Sequence, residues 1–370
     1  MQSYFAKSQD MAVMVEYNSG AGLVMASANK ENYTGIQALR FLAAILVVMV
    51  HATLYTKERL DPTFGIWSPG AAGVDIFFVI SGFVMVVSSR KLMTQTSGWL
   101  VFAKRRLIRI VPLYWLITTL KIAALLAIPS VVIHAKLSFY QVLTSYLFFP
   151  ARNAEGALEP LVGVGWTLNY EMFFYMVFTL ALLLRRDIYW FIGAVLGLCA
   201  LGSLVPNIDS DALAFYFNPI VLEFFGGMLL ARIAATWRFP WWVCLAAFAV
   251  GLALLLAQPG GSFPRFIGSG LPALLVVSGV VFGERWLAGR IPNFLLNLGA
   301  ASYALYLFHP LVAPLAPAVL KRVGLHEVGI SIVACVMISI IVSLITFIVV
   351  ERRVTRNLNR RLLGSQSSRN

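Results

Sequence analysis

The chain has 370 residues, of which 59% are hydrophobic and only 12% are charged, and its mean hydropathy is +0.81. Soluble domains carry roughly 25% charged residues, so the composition excludes a soluble globular protein and indicates a polytopic membrane protein. The net charge of +13 does not indicate a nucleic-acid-binding protein, because the lysines and arginines lie between apolar runs rather than on one amphipathic face.

The beginning of the chain combines a polar tail with an unusual apolar segment. Residues 1–31 are polar and rich in small residues, which predicts a disordered cytoplasmic tail. Ile36–Tyr55 follows and, at about 20 residues, is long enough to cross a bilayer. It contains Arg40 and His51, which share one helix face about 16 Å apart along the axis. Two ionisable residues on one stripe indicate a polar path through the protein. The alternative is that Arg40 reaches the lipid headgroups and His51 only joins two helices.

The remaining apolar segments predict an all-α fold with about ten transmembrane helices. The nine further spans are Ala71–Ser88, Pro112–Ile128, Leu161–Leu184, Ile188–Val205, Leu213–Ala235, Trp241–Ala257, Phe266–Phe282, Phe294–Leu320 and Val328–Val350. Between the third and fourth spans, His134–Pro160 is only patchily apolar, which predicts a long loop with an interfacial helix.

The distribution of positive charge predicts the orientation. With ten spans both termini lie on one side of the membrane, and most of the 29 lysines and arginines fall on that same side. The positive-inside rule therefore predicts that both termini are cytoplasmic, with residues 353–370 forming a basic cytoplasmic tail. The three cysteines lie inside apolar runs, which predicts buried thiols without a disulfide or a metal framework.

Several polar residues are predicted to lie at a similar depth near the outer face. His51, Asp75, Glu171 and His309 all fall toward the outer ends of their spans. Intramembrane carboxylates and imidazoles are candidates for function, and several at one level predict one site. Each of them alone is equally compatible with a structural polar contact. For His309 the following proline favours the structural role, because proline removes a backbone donor.

A second candidate site lies in the basic sequence KRRLIRIVP, residues 104–112. Arg106 and Arg109 are three positions apart and therefore share a helix face where the chain enters the membrane. Guanidinium groups bind phosphates through paired hydrogen bonds, so this face is a candidate anchor for a phosphorylated ligand. The alternative is a topological anchor that pairs with lipid phosphates.

In their order along the chain, these motifs resemble the integral-membrane acyltransferase 3 family, in particular its exopolysaccharide O-acetyltransferases. The resemblance rests on Arg40 and His51 in an Arg-x10-His pattern, on GVDIFFVISGF with Asp75 and Ser81, on Arg106, Arg109 and Pro112, on WTLNYEMFFY with Trp166 and Glu171, and on SYALYLFHP with Tyr303 and His309. It runs from Ile36 to Val350, which makes residues 32–352 the predicted transmembrane acyltransferase domain. Where the family usually has WSLSVEEQFY, Met172 and Phe173 replace the second acid and the glutamine.

The resemblance implies transfer of an acyl group, usually acetyl from cytoplasmic acetyl-CoA, to a sugar hydroxyl. The acceptor would be a cell-envelope or exported polysaccharide or its lipid-linked precursor, at the bacterial inner membrane among its lipids. In this interpretation His51 is the general base or the acyl carrier, oriented by Asp75 or Glu171. The predicted donor contacts are Arg40, Arg106 and Arg109, and the predicted substrate contacts are Ser81, Trp166, Tyr303 and His309. No metal and no nucleic acid are expected, and the oligomeric state is open.

A proton-coupled transporter or glycan flippase is the competing hypothesis. It also accounts for carboxylates and histidines within spans. Such transporters commonly consist of inverted repeats with broken helices, and the sequence contains no convincing repeat.

The predicted topology is testable with reporter fusions. Fusions after Arg90 and after Arg352 should both report the cytoplasm, and one near Asn153 should report the outside. A cytoplasmic signal at Asn153 would contradict the ten-span arrangement.

Overall fold

The structure of the protein is a computed structural model that describes residues 33–127, 137–257 and 264–364. Across these ranges the chain is helical, and the only β-pairing is an isolated bridge between Arg152 and Leu158. The all-α prediction is therefore confirmed. The predicted disordered tail, residues 1–31, lies outside the described residues.

The described part of the chain contains fifteen α-helices. The α-helices are α1 (Thr34–Arg59), α2 (Gly73–Ser89), α3 (Gly98–Ala127), α4 (Phe139–Tyr146), α5 (Trp166–Leu183), α6 (Ile188–Gly202), α7 (Asp211–Tyr216), α8 (Val221–Thr236), α9 (Trp241–Leu256), α10 (Leu271–Leu287), α11 (Asn293–Ala300), α12 (Ser302–Val312), α13 (Leu315–Arg322), α14 (Val328–Thr346) and α15 (Arg352–Leu363). Turns of 3₁₀-helix at Ser68–Ala72 and Gly163–Gly165 precede α2 and α5, and π-helical turns at Phe266–Gly270 and Phe347–Glu351 precede α10 and α15.

Six of the described helical runs are long and apolar enough to cross a membrane, which confirms a multi-pass membrane protein. They are Thr34–Arg59, Ser68–Ser89, Gly98–Ala127, Phe266–Leu287, Ser302–Arg322 and Val328–Leu363. Ile188–Gly202 and Trp241–Leu256 are shorter apolar helices. The total of ten spans and the cytoplasmic termini stay predictions.

Two predicted spans are broken in the structure. Leu213–Ala235 contains α7 and α8, separated where Pro219 supplies no backbone donor and the Asn218 side chain accepts from the backbone N–H of Ile220. Phe294–Leu320 contains α11, α12 and α13, with the second break just before Leu315 at Pro314. These predicted spans were wrong as single helices because hydropathy does not register a local turn within an apolar run.

The segment before the third predicted span is helical as well. The helix α3 starts at Gly98 instead of Pro112, so the basic residues 104–109 belong to it, and Pro112 lies within the helix. Membrane helices tolerate an internal proline where neighbouring helices satisfy the freed carbonyl groups. In the following loop, α4 exposes Phe139, Tyr140 and Leu143, as expected for an interfacial helix.

The helix α1 is the axis of the bundle, and α2, α10, α11, α12 and α14 pack around it. On the far side of α2, the crossing with α8 is close enough to require glycine. A Cβ at Gly82 would overlap the carbonyl oxygen of Phe224, and a Cβ at Gly227 would overlap that of Val79. Small residues at such crossings let membrane helices approach closely. This contact fixes the depth of α2, and with it Asp75 and Ser81.

The first turn of α1 is capped by a distant residue. Its own N-cap residue, Tyr33, provides no side-chain acceptor. Instead, the Glu284 carboxylate on α10 accepts hydrogen bonds from the backbone N–H and hydroxyl of Thr34, both at 2.6 Å, and from the N–H of Gly35 at 2.8 Å. A carboxylate at this end satisfies free backbone donors and complements the helix dipole. Glu284 therefore joins α1 to α10.

We expect Glu284→Ala to lower the stability of the purified protein by about 1–2 kcal/mol, the usual effect of losing a helix N-cap. The change leaves two backbone N–H groups of α1 without their acceptor. The measurement is the midpoint of thermal unfolding in detergent. Glu327→Ala, which removes an exposed carboxylate before α14, is the control and should leave the midpoint unchanged. Equal midpoints for both variants would contradict the capping role.

Candidate active site

The imidazole of His51 is held by the backbone of its own helix. Its Nδ1 lies 2.9 Å from the carbonyl oxygen of Val47, one turn earlier in α1. Because a carbonyl oxygen only accepts hydrogen bonds, Nδ1 carries the proton of the neutral ring and Nε2 keeps its lone pair. Nε2 can therefore accept a proton from a hydroxyl group or attack a carbonyl carbon.

His309 on α12 lies directly against His51. The two ring centroids are 4.8 Å apart in an edge-to-face arrangement. Nδ1 of His309 lies 3.1 Å from the carbonyl oxygen of Leu305, so this ring also keeps a lone pair on Nε2. The side chain is fully buried, and its Nε2 has no hydrogen-bond partner among the described residues. The sequence favours a structural role for His309. In the structure, His309 also contacts His51, the candidate base.

Asp75 does not hold the His51 ring. Its carboxylate accepts two hydrogen bonds from Arg265, from Nε and Nη2, each at 3.0 Å. Asp75 is buried, whereas the Arg265 side chain is 40% exposed and lies 5.6 Å from the ring centroid of Trp166. Glu223 also faces this pair. The predicted Asp75–His51 pairing is replaced by an ion pair, and Trp166 lies beside it.

Glu171 belongs to a different set of contacts. One of its carboxylate oxygens, Oε1, accepts hydrogen bonds from the Ser81 hydroxyl at 3.1 Å and from the Tyr175 hydroxyl at 3.2 Å. The Ser81 bond joins α2 to α5, and the Tyr175 bond lies within α5. Neither of the predicted acids therefore occupies the position next to Nδ1 of His51, which the Val47 carbonyl takes.

The predicted common level of His51, Asp75 and Glu171 is also wrong. Gly73, two residues before Asp75, packs against the carbonyl oxygen of Ala43. Ala43 lies eight residues before His51 in α1, about 12 Å along the axis. Because α2 runs away from that point, Ser81 and its partner Glu171 lie deeper still, toward the Arg40 end of α1. The short 3₁₀ turn before α2 shifts these residues along the axis of α1, and hydropathy does not predict the size of that shift.

Arg106 is a buried guanidinium at this deeper level. Its Nη2 donates to the Ser88 hydroxyl at 2.6 Å, and its Cζ lies 5.2 Å from the Phe102 ring centroid and 5.9 Å from that of Tyr175. Its Nε has no hydrogen-bond partner among the described residues. A cavity of about 190 Å³ opens here, lined by Ser88, Leu92, Phe102, Arg105 and Arg106. A buried cation beside a cavity, with a donor to spare, suits an anionic ligand.

Arg40 and Arg109 complete the positive cluster. Arg40 donates one long hydrogen bond of 3.4 Å to Gln37 and interacts electrostatically with Arg109, Glu351 and Glu171. The Tyr303 hydroxyl, which sequence analysis assigns to substrate binding, donates to the carbonyl oxygen of Ile110 in α3 at 2.9 Å. The structure thus brings together Arg40, Arg106, Arg109, Glu171 and Tyr303, as well as Ser81.

The site therefore has two levels along α1. The imidazole level contains His51 and His309, and the arginine level lies around Arg40, about 16 Å away along the helix axis. Tyr303 and His309, six residues apart on α12, connect the same two levels on a second helix. Such a site can hold an anionic group at one end and a reacting carbonyl group at the other. No group of three or more potential metal ligands occurs in the described part of the chain.

Sequence reasoning missed three residues of this arrangement. Tyr175 is four positions after Glu171, a spacing that places two side chains on one helix face, and this signal was readable. Arg265 directly precedes the π-helical turn Phe266–Gly270, and only the need of a buried Asp75 for a counter-ion points to it. Glu351 was not recognised because it directly precedes a segment rich in arginine.

Residues 33–349 match the family described as Acyltransferase domain. The chain is 34% identical over 303 residues to exopolysaccharide production protein ExoZ of Rhizobium meliloti, covering 78% of this chain and 90% of that protein. It is 28% identical over 323 residues to acyltransferase MdmB of Streptomyces mycarofaciens (75% and 78%), and 30% identical over 158 residues to O-acetyltransferase OatA of Staphylococcus aureus (40% and 24%). No solved structure matches the chain. The protein therefore belongs to this family of membrane acyltransferases, as an enzyme of the O-acetyltransferase type.

Proposed function

We propose that the protein moves an acetyl group from cytoplasmic acetyl-CoA to a hydroxyl of an exported polysaccharide or its lipid-linked precursor in the bacterial inner membrane. The observation that carries the proposal is the lone pair on Nε2 of His51, on the same helix as Arg40, which belongs to an arginine cluster whose member Arg106 on α3 lines a cavity. The acceptor class is supported by a relative that covers 78% of this chain, an exopolysaccharide production protein.

The arginine level fits the phosphates of the donor. Arg106 has an unused buried Nε, and Arg40 and Arg109 add two further guanidinium groups within electrostatic range. Paired guanidinium donors suit phosphate oxygens. The donor would lie along α1, with its phosphates at the arginines and its thioester toward His51.

The imidazole level fits the chemical step. As general base, Nε2 of His51 takes the proton of the acceptor hydroxyl while its oxygen attacks the thioester carbonyl carbon, and the C–S bond breaks to release the thiolate. As acyl carrier, the same lone pair attacks the thioester first and passes the acetyl group to the hydroxyl. The carbonyl of Val47 holds the tautomer that both routes require. The proton that leaves the hydroxyl ends on the departing thiolate.

The Arg106 and Arg109 double substitution to Ala should raise the apparent KM for acetyl-CoA. Each lost charged hydrogen bond is worth about 1.5–3 kcal/mol, so the increase should be at least tenfold. The measurement is initial rate against acetyl-CoA concentration for purified protein. Arg186→Ala removes an exposed arginine between α5 and α6 and is the control. A normal KM in the double variant would make the two residues topological anchors only.

His51→Gln should leave the protein folded and inserted while acetyl transfer falls by roughly 10²–10⁴-fold, the usual contribution of a positioned acid–base group. Purified protein is incubated with labelled acetyl-CoA and candidate glycans, and product is measured per folded molecule. His326→Gln, at an exposed histidine between α13 and α14, is the matched control.

Two results would contradict this assignment of His51. One is a folded His51→Gln protein with near wild-type specific activity. The other is a loss of folded protein in which the surviving molecules keep full specific activity, because that outcome means that His51 only packs helices.

A further inference from the structure

We infer that Glu351 is the internal counter-anion of the donor site: its carboxylate neutralises Arg40 and Arg109 between turnovers and competes with the donor's phosphates for them. The inference rests on the proposed function, because it takes these arginines as phosphate contacts. Glu351 would then set how tightly the donor binds and how readily the spent carrier leaves.

The position of Glu351 in the fold is unusual. It is the last residue of the π-helical turn Phe347–Glu351, which connects α14 to α15. Single π-turns within helices are rare and occur frequently at functional sites. The extra residue changes the helical phase, so that Glu351 faces the bundle although the helix after it exposes most of its arginines.

The surroundings of Glu351 are positive. The charged groups that it faces are Arg109 on α3 and Arg40 on α1. Its Oε2 is buried and has no hydrogen-bond partner among the described residues. Arg40 and Arg109 are both half-buried, and two such guanidinium groups near each other repel. A carboxylate between helices α1, α3 and α14 reduces that repulsion. Glu351 thus adds a second negative charge, beside that of Glu171, at this end of the site.

The interaction of Glu351 with these arginines is loose, in contrast to the ion pair between Asp75 and Arg265. Asp75 and Arg265 share two hydrogen bonds of 3.0 Å. Arg40 has only a 3.4 Å bond to Gln37, and neither Arg40 nor Arg109 reaches a carboxylate within the described residues at ion-pair distance. An anion that offers several oxygens to these guanidinium groups can therefore replace Glu351 without breaking a formed hydrogen bond.

The helix after Glu351 offers a place for the displaced carboxylate. The helix α15 has no buried residue and packs against α3, which holds Arg106 and Arg109. Its basic side chains include Arg352 and Arg356. A phosphate that binds the arginines in place of Glu351 leaves the Glu351 carboxylate next to this basic helix. The basic side chains of the helix can then stabilise the carboxylate.

The test measures binding of CoA to the purified full-length protein by calorimetry. We expect Glu351→Gln to bind CoA roughly tenfold more tightly than the wild type, equivalent to about 1.4 kcal/mol. Glu351→Asp, whose carboxylate is withdrawn by one methylene group, should fall between the two. In the transfer assay Glu351→Gln should lower both KM and kcat, because the spent carrier leaves more slowly. Glu327→Gln, at the other end of α14, should behave like the wild type.

The outcomes separate this inference from the proposed function. If Arg109→Ala weakens CoA binding but the folded Glu351 variants bind as the wild type does, or more weakly, Glu351 is not a competitor and the inference fails alone. If the wild type does not bind CoA, or Arg109→Ala binds it equally well, the donor site itself is wrong. If Glu351→Gln does not fold, Glu351→Asp decides: binding no tighter than that of the wild type overturns the inference.

Discussion

An ionised side chain inside an apolar helix bundle is stable only where another charge, a hydrogen bond or enclosed water compensates for lost hydration. In this protein that requirement shapes the interior around α1. Asp75 is matched by two hydrogen bonds from Arg265, and Arg106 is held by Ser88 and two aromatic rings. Glu171 is satisfied by two hydroxyl groups. Compensation is incomplete at Arg106 and Glu351, which lie at the candidate donor site, and at Glu223, which lies beside the Asp75–Arg265 pair.

The two levels of the site divide the work of a group transfer. An anionic carrier needs fixed positive charge for binding, and a proton transfer needs a neutral base. At short range the positive charge and the base would disturb each other. The α1 helix keeps them about three turns apart on one face. The glycine contacts of α2 with α8 hold Ser81 at the depth of the arginines, so the rigid packing of small residues supports the separation.

Sequence reasoning predicted the all-α class of structure and proposed most residues of the candidate site, but not which of them meet. Hydropathy was sufficient for α1 because its ends coincide with polar residues, whereas Leu213–Ala235 contains a turn at Asn218 and Pro219 that leaves the average hydropathy high. Arg40 and His51 were recognisable because both lie on one helix. The partners of Asp75 and Glu171 come from other helices, and their distance depends on helix depth. A short turn before α2 moved Asp75 about two turns away from His51.

The ion pair between Asp75 and Arg265 joins positions 190 residues apart in the chain. At a synthesis rate of about 5–20 residues per second, α2 is made roughly 10–40 s before its counter-ion exists. During that interval the carboxylate needs water, lipid headgroups or another protein as its surroundings. The early helices are therefore not a finished module to which later ones are added. The order of synthesis leaves the charge of Asp75 in α2 without its counter-ion until Arg265 has emerged.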